Sequence, residues 1–156
     1  MQIRRVTEND IPQLHRLLQQ VLTVHHEGRP DLFKGNCTKY SHEELAILLK
    51  DENSPVFGAF NEEGVLLGHA FCIIETYQSH NIMTDRKTLY IDDICVDENA
   101  RGHHVGKSLY EFVHNYAKEN GFYNITLNVW SCNPSAVAFY EAMGLQPYKI
   151  GMEAIL

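Results

Sequence analysis

Cysteine, positive charge and long apolar runs are all scarce in this chain of 156 residues, and each scarcity removes a class of protein. Cys37, Cys72, Cys95 and Cys132 lie far apart with no CxxC pair, so neither a disulfide framework nor zinc-knuckle spacing is present. Reduced thiols in a cytoplasmic protein are the expectation. No apolar stretch approaches the ~20 residues that cross a bilayer, and Met1-Gln2-Ile3-Arg4-Arg5 leads into Val6-Thr7-Glu8 rather than into a signal-like apolar segment. A soluble protein without a membrane partner is therefore expected. Thirteen Lys and Arg stand against 20 Asp and Glu, and the net charge of −7 repels phosphodiester backbones while favouring small cations. No nucleic-acid partner is expected, although an acidic balance also serves plain solubility.

What is present fits one globular domain over residues 1–156, with 44% hydrophobic and 21% charged residues and no repeat or linker. Gln2 to Val6 alternates polar and apolar residues as a short strand. Thr7 with Asp10 forms a capping pattern ahead of Ile11, Leu14, Leu17, Leu18, Val21 and Leu22, whose spacing predicts an amphipathic helix. A loop with apolar anchors Leu32 and Phe33 runs from His25 to Tyr40, and Ser41-His42-Glu43-Glu44 caps a second, short helix. Pro55 to Phe60 and Val65 to Thr76 flank the turn Asn61-Glu62-Glu63-Gly64 as a hairpin. Thr88 to Val96 predicts a strand, and from about His104 the residues Val105, Leu109, Phe112, Val113 and Tyr116 predict a helix ending at Asn120-Gly121. Then follow a strand from Ile125 to Val129, a helix from Pro134 to Met143 closed by Gly144, and a last strand from Tyr148 to Leu156. The order is that of an α+β fold.

Two segments carry chemistry. After the strand ending Ile94-Cys95-Val96, the run Arg101-Gly102-His103-His104-Val105-Gly106-Lys107 opens a helix. First-turn N–H groups lack intrahelical acceptors and the macrodipole adds positive charge, so anions collect there, while glycines admit a diphosphate and Arg101 and Lys107 supply cations. Downstream, Asn133 caps a helix with Pro134 at its first position, and the adjacent Phe139 and Tyr140 cannot share a face. The histidine pairs His25-His26 and His103-His104 diverge and no third ligand is spaced to join them, so no metal is assigned. Cys132 has no evident base beside it.

Together, Ile91 to Leu145 resembles the GNAT superfamily of acyl-CoA-dependent N-acyltransferases. Arg101 and Gly106 fit that family's pyrophosphate loop, His104 stands where its first motif glycine is usual, and the stretch from Asn133 to Leu145 fits a second motif. The resemblance implies a mixed sheet, twisted and with helices on both faces, that splays between the strand ending at Val96 and the one ending near Trp130. It implies acetyl-CoA as cosubstrate, its pantetheine arm pairing with the main chain at Ile94 and Val96. The diphosphate would lie on the N–H groups of Gly102, His103, His104, Val105, Gly106 and Lys107, with Asn133 and Ser135 near the thioester. Tyr140 would protonate the departing thiolate.

The acceptor implied is a primary amine, most simply a small molecule, with a protein N-terminus or lysine as a second reading and a non-catalytic acyl-CoA sensor as a third. Tyr90-Ile91-Asp92-Asp93-Ile94 supplies carboxylates for deprotonating it. Simple alternation places Asp92 on the face of Ile94 and Val96 and Asp93 on the other, unless a bulge intervenes. Similarity to diamine and polyamine acetyltransferases favours Asp92 as the base. Phe33 is a candidate for the acceptor entrance, Trp130 and Tyr148 for core or dimer contacts, and a homodimer is implied by resemblance alone.

Overall fold

The computed structural model describes all of residues 1–156. Its elements are β1 (Gln2–Arg5), α1 (Ile11–Gly28), α2 (His42–Leu48), β2 (Val56–Phe60), β3 (Leu66–Tyr77), β4 (Arg86–Val96), α3 (Val105–Glu119), β5 (Asn124–Leu127) and α4 (Pro134–Ala142), with short 3-10 turns at Glu8–Asp10 and Glu98–Ala100. The five strands lie in the order β1-β2-β3-β4-β5. All neighbours are antiparallel except β4 and β5, which run parallel across the α3 crossover, so the sheet is mixed as expected.

Local signals set the element starts. The Asp10 carboxylate accepts from Thr7 N at 2.8 Å and from both terminal nitrogens of Arg4 at 2.8 and 2.9 Å, anchoring β1 to the start of α1. Ser41 and Glu44 exchange side-chain and main-chain bonds at the start of α2, the reciprocal capping box read from the sequence. The apolar stripe of α1 buries Ile11, Leu14, Leu17 and Leu18 with Leu45 of α2 against Val56, Phe60, Leu66 and Phe71. On the opposite face of the sheet α3 buries Tyr110, Val113 and Ala117 against Phe57, Ala70, Leu89 and Ile91.

Three departures from simple patterning shape the functional end. First, β3 and β4 shift register: Cys72 faces Ile91 and Phe71 faces Asp93, which leaves Asp92 without a partner as an extra, bulged residue. Beyond it the alternation is displaced, so Ile94 and Val96 continue the α3 face on which Ile91 lies, while Cys95 joins the α1 core. The parity that put Asp92 on the face of Ile94 and Val96 is thereby corrected, because one inserted residue turns the rest of a strand over. Second, β4 pairs with β5 only from Thr88 to Ile91, and Asp92 to Val96 have no β5 partner. The two strands part there. Third, the strand expected from Tyr148 to Leu156 does not form. No residue after Leu145 makes a main-chain hydrogen bond, and Tyr148, Ile150, Met152, Ile155 and Leu156 are exposed. Alternating apolar residues record that one face seeks cover, not which strand edge provides it.

Candidate active site

The strand gap opens onto the start of α3. Arg101 is followed by Gly102 at φ 79° and His104 at φ 60°, two left-handed residues that turn the chain into the helix. No protein atom accepts a hydrogen bond from the N–H groups of Gly102, His103, His104, Val105, Gly106 or Lys107; the first helical bond is from Ser108 N to His104 O. Six consecutive donors thus lack a protein acceptor at the positive end of a helix, the arrangement that can hold phosphate oxygens. A Cβ on Gly106 would stand 3.4 Å from Val96 Cγ2 and 3.6 Å from the Phe139 ring, ordinary contact distances that show how closely the helix start lies against β4 and α4. The only side-chain interactions nearby are those of His103 Nδ1 with Arg101 O, Arg101 Nε with Val96 O, and an exposed Lys107–Glu111 pair at 3.8 Å. Arg101 and Lys107 are therefore free to move toward an anion.

Across the gap, Asn133 caps α4 by accepting from Ala136 N at 3.2 Å, and Ser135 Oγ donates to the same Asn133 oxygen at 2.8 Å. Tyr140 is half-buried, with its ring at 5.2 Å from that of Phe139, and its hydroxyl has no protein partner. Burial, with the Asp93 charge adding to it, pushes this phenol above its ordinary value, so it is a protonated donor at neutral pH. Cys132 is exposed, its sulfur placed where a Cβ on Gly28 would come within 2.9 Å.

The bulge brings both carboxylates to the α1 and α2 side. Asp93 is buried and takes a 3.2 Å hydrogen bond from His69 Nε2. Burial would raise its pKa, but the His69 bond and the charges of His69, Lys39 and His25 outweigh burial and hold it below the usual carboxylate range. Asp92 accepts from Lys39 Nζ at 2.8 Å, and that ammonium also lies over the rings of Tyr40 and Phe71 at 5.4 and 6.0 Å. Desolvation works against the Lys39 charge, yet the Asp92 bond and both carboxylate charges prevail and raise its pKa. Lys39 thus occupies a position that suits an ammonium group.

Aromatic residues cluster beside His25. The His25 and Phe33 rings are 5.0 Å apart, and Trp130 meets Phe33 edge-on at 5.3 Å. His25, whose pKa burial lowers against the pull of Asp93, is close enough to feel both Asp93 and Lys39. His26 turns away to Phe33 O at 2.7 Å. Phe33, a candidate from sequence for either an apolar anchor or the acceptor entrance, lies beside His25, the histidine that senses Asp93. Lys39 and His69 were not singled out from the sequence: a lysine in a loop carries no local signal, and His69 shows only as a polar residue in an apolar strand.

A mixed sheet whose β4 and β5 part beside a helix start rich in free N–H groups is the arrangement seen here, and comparison with known proteins gives its family. The sequence pattern of the acetyltransferase (GNAT) family matches residues 17–145, and the chain belongs to that family. Glucosamine 6-phosphate N-acetyltransferase of Arabidopsis thaliana is 31% identical over 97 residues, 54% of this chain and 63% of the plant enzyme, so the match spans less than two thirds of that protein. A crystallised mutant of the BH1408 protein of Bacillus halodurans is 31% identical and superposes with a TM-score of 0.95, covering 100% of this chain and 99% of that one. An aminoglycoside acetyltransferase from an uncultured soil metagenomic sample, in complex with sisomicin, gives a TM-score of 0.75 at 22% identity over 99% of this chain and 95% of its own, which shows shared fold.

Proposed function

We propose that the protein transfers an acetyl group from acetyl-CoA to a primary amine of a small molecule, by direct attack within a ternary complex. The observation that carries this reading is the row of six unpartnered N–H groups from Gly102 to Lys107 beside the parted edge of β4. The diphosphate would rest on those donors with Arg101 and Lys107 closing on it. The pantetheine arm would extend along the unpaired main chain at Ile94 and Val96 toward Asn133, Ser135 and Tyr140. A cleft of about 330 Å³ between α3 and α4, lined by Lys107, Tyr110, His114 and Met143, can take the more distant part of the cosubstrate.

An incoming ammonium is drawn to Asp92 and Asp93, displacing Lys39, and loses a proton to a carboxylate directly or through water. Asp92 is the half-exposed carboxylate and the better placed to exchange protons; Asp93, charged and buried, fixes the local field. The neutral amine attacks the thioester carbonyl and the carbon–sulfur bond breaks; the nitrogen gives up its second proton, which passes to the leaving thiolate directly or through water, while Tyr140 donates a hydrogen bond to the sulfur as negative charge builds on it. Most of the acceleration comes from holding amine and thioester in contact. No acyl-enzyme is required, since the exposed Cys132 has no adjacent base.

Incubating the protein with acetyl-CoA and a panel of small amines and N-terminal peptides, while following thiol release, tests the reading. Turnover with small amines is expected. Thiol release with peptides only would move the acceptor to proteins, and acetyl-CoA binding without turnover would make the protein a sensor. A mass increase on Cys132 with acetyl-CoA alone would replace direct attack by a two-step route.

A further inference from the structure

Lys39 stands in the place that an acceptor amine has to reach. Asp92 is the bulged residue of β4 and the first to lie beyond the last β5 pair, Ile91 with Leu127, so its carboxylate marks the inner end of the strand gap. The Lys39 ammonium lies 2.8 Å from that carboxylate and over the rings of Tyr40 and Phe71. Both the Tyr140 phenol and the Lys39 ammonium feel the charge of Asp93. An internal primary amine and the hydroxyl assigned to the leaving sulfur therefore share one pair of carboxylates.

The fold holds the lysine there. Tyr40, the next residue, stacks its ring on Phe71 at 6.0 Å, and Ser41 caps α2, so the main chain that carries Lys39 is anchored on both counts. Its side chain is 35% exposed, against 70% for Lys50 and 53% for Lys107, the other two lysines in ion pairs, and their partners are Glu8 and Glu111. No other lysine pairs with a carboxylate of β4. An amine tethered in this way needs no binding step, and its local concentration exceeds that of an ordinary dissolved acceptor. While Lys39 neutralises Asp92, a dissolved ammonium also has to displace an internal one.

We propose, on the basis of the acetyl transfer set out above, that Lys39 is itself an acceptor: with no dissolved amine present, the protein acetylates the Nζ of its own Lys39. In this step Lys39 gives one proton to Asp92 and its neutral nitrogen attacks the thioester carbonyl. A carbon–nitrogen bond replaces the carbon–sulfur bond, the second nitrogen proton passes to the thiolate, and Asp92 returns its proton to water. One acetyl-CoA thus yields one free coenzyme A and one acetylated lysine. The two carboxylates hold the Lys39 ammonium charged in spite of desolvation, so the neutral amine is a minor form and the reaction is slow. The product carries no charge and leaves both carboxylates without an internal cation.

The test incubates the full chain with acetyl-CoA and no amine, and follows acetylation of each lysine over time by peptide mass spectrometry, starting from the level before acetyl-CoA is added. Lys39 should react at least about tenfold faster than each of the other six lysines, with a first-order rate constant that is the same at about 1 and about 50 µM protein, as transfer within one chain requires. Excess free coenzyme A should suppress labelling of Lys39 and leave slow chemical labelling of the other lysines unchanged. Labelling of Lys39 no faster than that of the others overturns the proposal, as does a rate constant that rises with protein concentration or labelling that coenzyme A does not suppress. Thiol release with the amine panel separates the two readings. Release with Lys39 unlabelled removes self-acetylation alone, whereas neither release nor labelling removes the acetyl transfer as well.

Discussion

Replacing Tyr140 by phenylalanine isolates one hydroxyl at the centre of the proposed chemistry. An ordinary phenol titrates near 10 and a thiol near 8.5, so even an unperturbed tyrosine would give its proton to a thiolate uphill by about 2 kcal/mol. In the structure burial and the Asp93 charge raise the phenol further, which widens that gap. Complete proton transfer is therefore not what Tyr140 contributes first; it donates a hydrogen bond to sulfur as charge develops. A hydrogen bond to a charged group is worth roughly 1.5–3 kcal/mol, which corresponds to a fall in kcat of roughly 10- to 150-fold. The KM for acetyl-CoA should change little, since that bond matters mainly in the transition state. The hydroxyl has no protein partner, so the melting temperature should hold within about 2 °C. With a raised pKa the phenol stays protonated across neutral pH, and the kcat profile should show no alkaline limb from this group below about pH 9. Steady-state kinetics of both proteins from pH 6 to 9 provide the check. A loss of kcat smaller than threefold, or one confined to KM, would refute the assignment.

The carboxylates should separate by stability as well as rate. Asp92→Asn should lower kcat/KM most at low pH, where amine deprotonation limits, and shift stability by no more than about 1 kcal/mol, because its Lys39 pair is partly exposed. Asp93→Asn should in addition cost roughly 1–3 kcal/mol by disturbing the buried His69 contact, and thermal melts that rank the two the other way would contradict the burial argument. His104→Gly removes a left-handed residue with a Cβ, at roughly 1 kcal/mol of strain, so titration calorimetry should find acetyl-CoA affinity within about tenfold; complete loss in a folded variant would make the imidazole an essential ligand. Asp10, held at about 2 by the Arg4 fork against an ordinary value of 3.8, has a folded pKa below its unfolded one. Its contribution of about 2 kcal/mol is complete above the unfolded value and falls to under about 0.5 kcal/mol by pH 2, so urea titrations of Asp10→Asn and the parent should differ at pH 7 and nearly coincide at pH 2.

The sequence by itself determined every feature whose cause is local. The capping patterns at Thr7 and Ser41, the 3.6-residue stripes of α1 and α3 and the turn at Asn61–Gly64 follow from neighbours a few residues apart, and so could be read in advance. The acetyltransferase family was legible for the same reason, through the motifs at Arg101–Lys107 and Asn133–Leu145. Tertiary structure alone decided the rest. The bulge at Asp92 depends on how β3 and β4 settle against each other, and a single inserted residue sent both carboxylates to one side. Lys39 and His69 became neighbours of those carboxylates only because a loop and a neighbouring strand pack beside β4, over separations that no spacing rule covers. The apolar alternation from Tyr148 to Leu156 announced a strand, but its place depends on which edge is open to it, and within one chain none is used. Patterning records what a segment needs to bury; only packing decides against what.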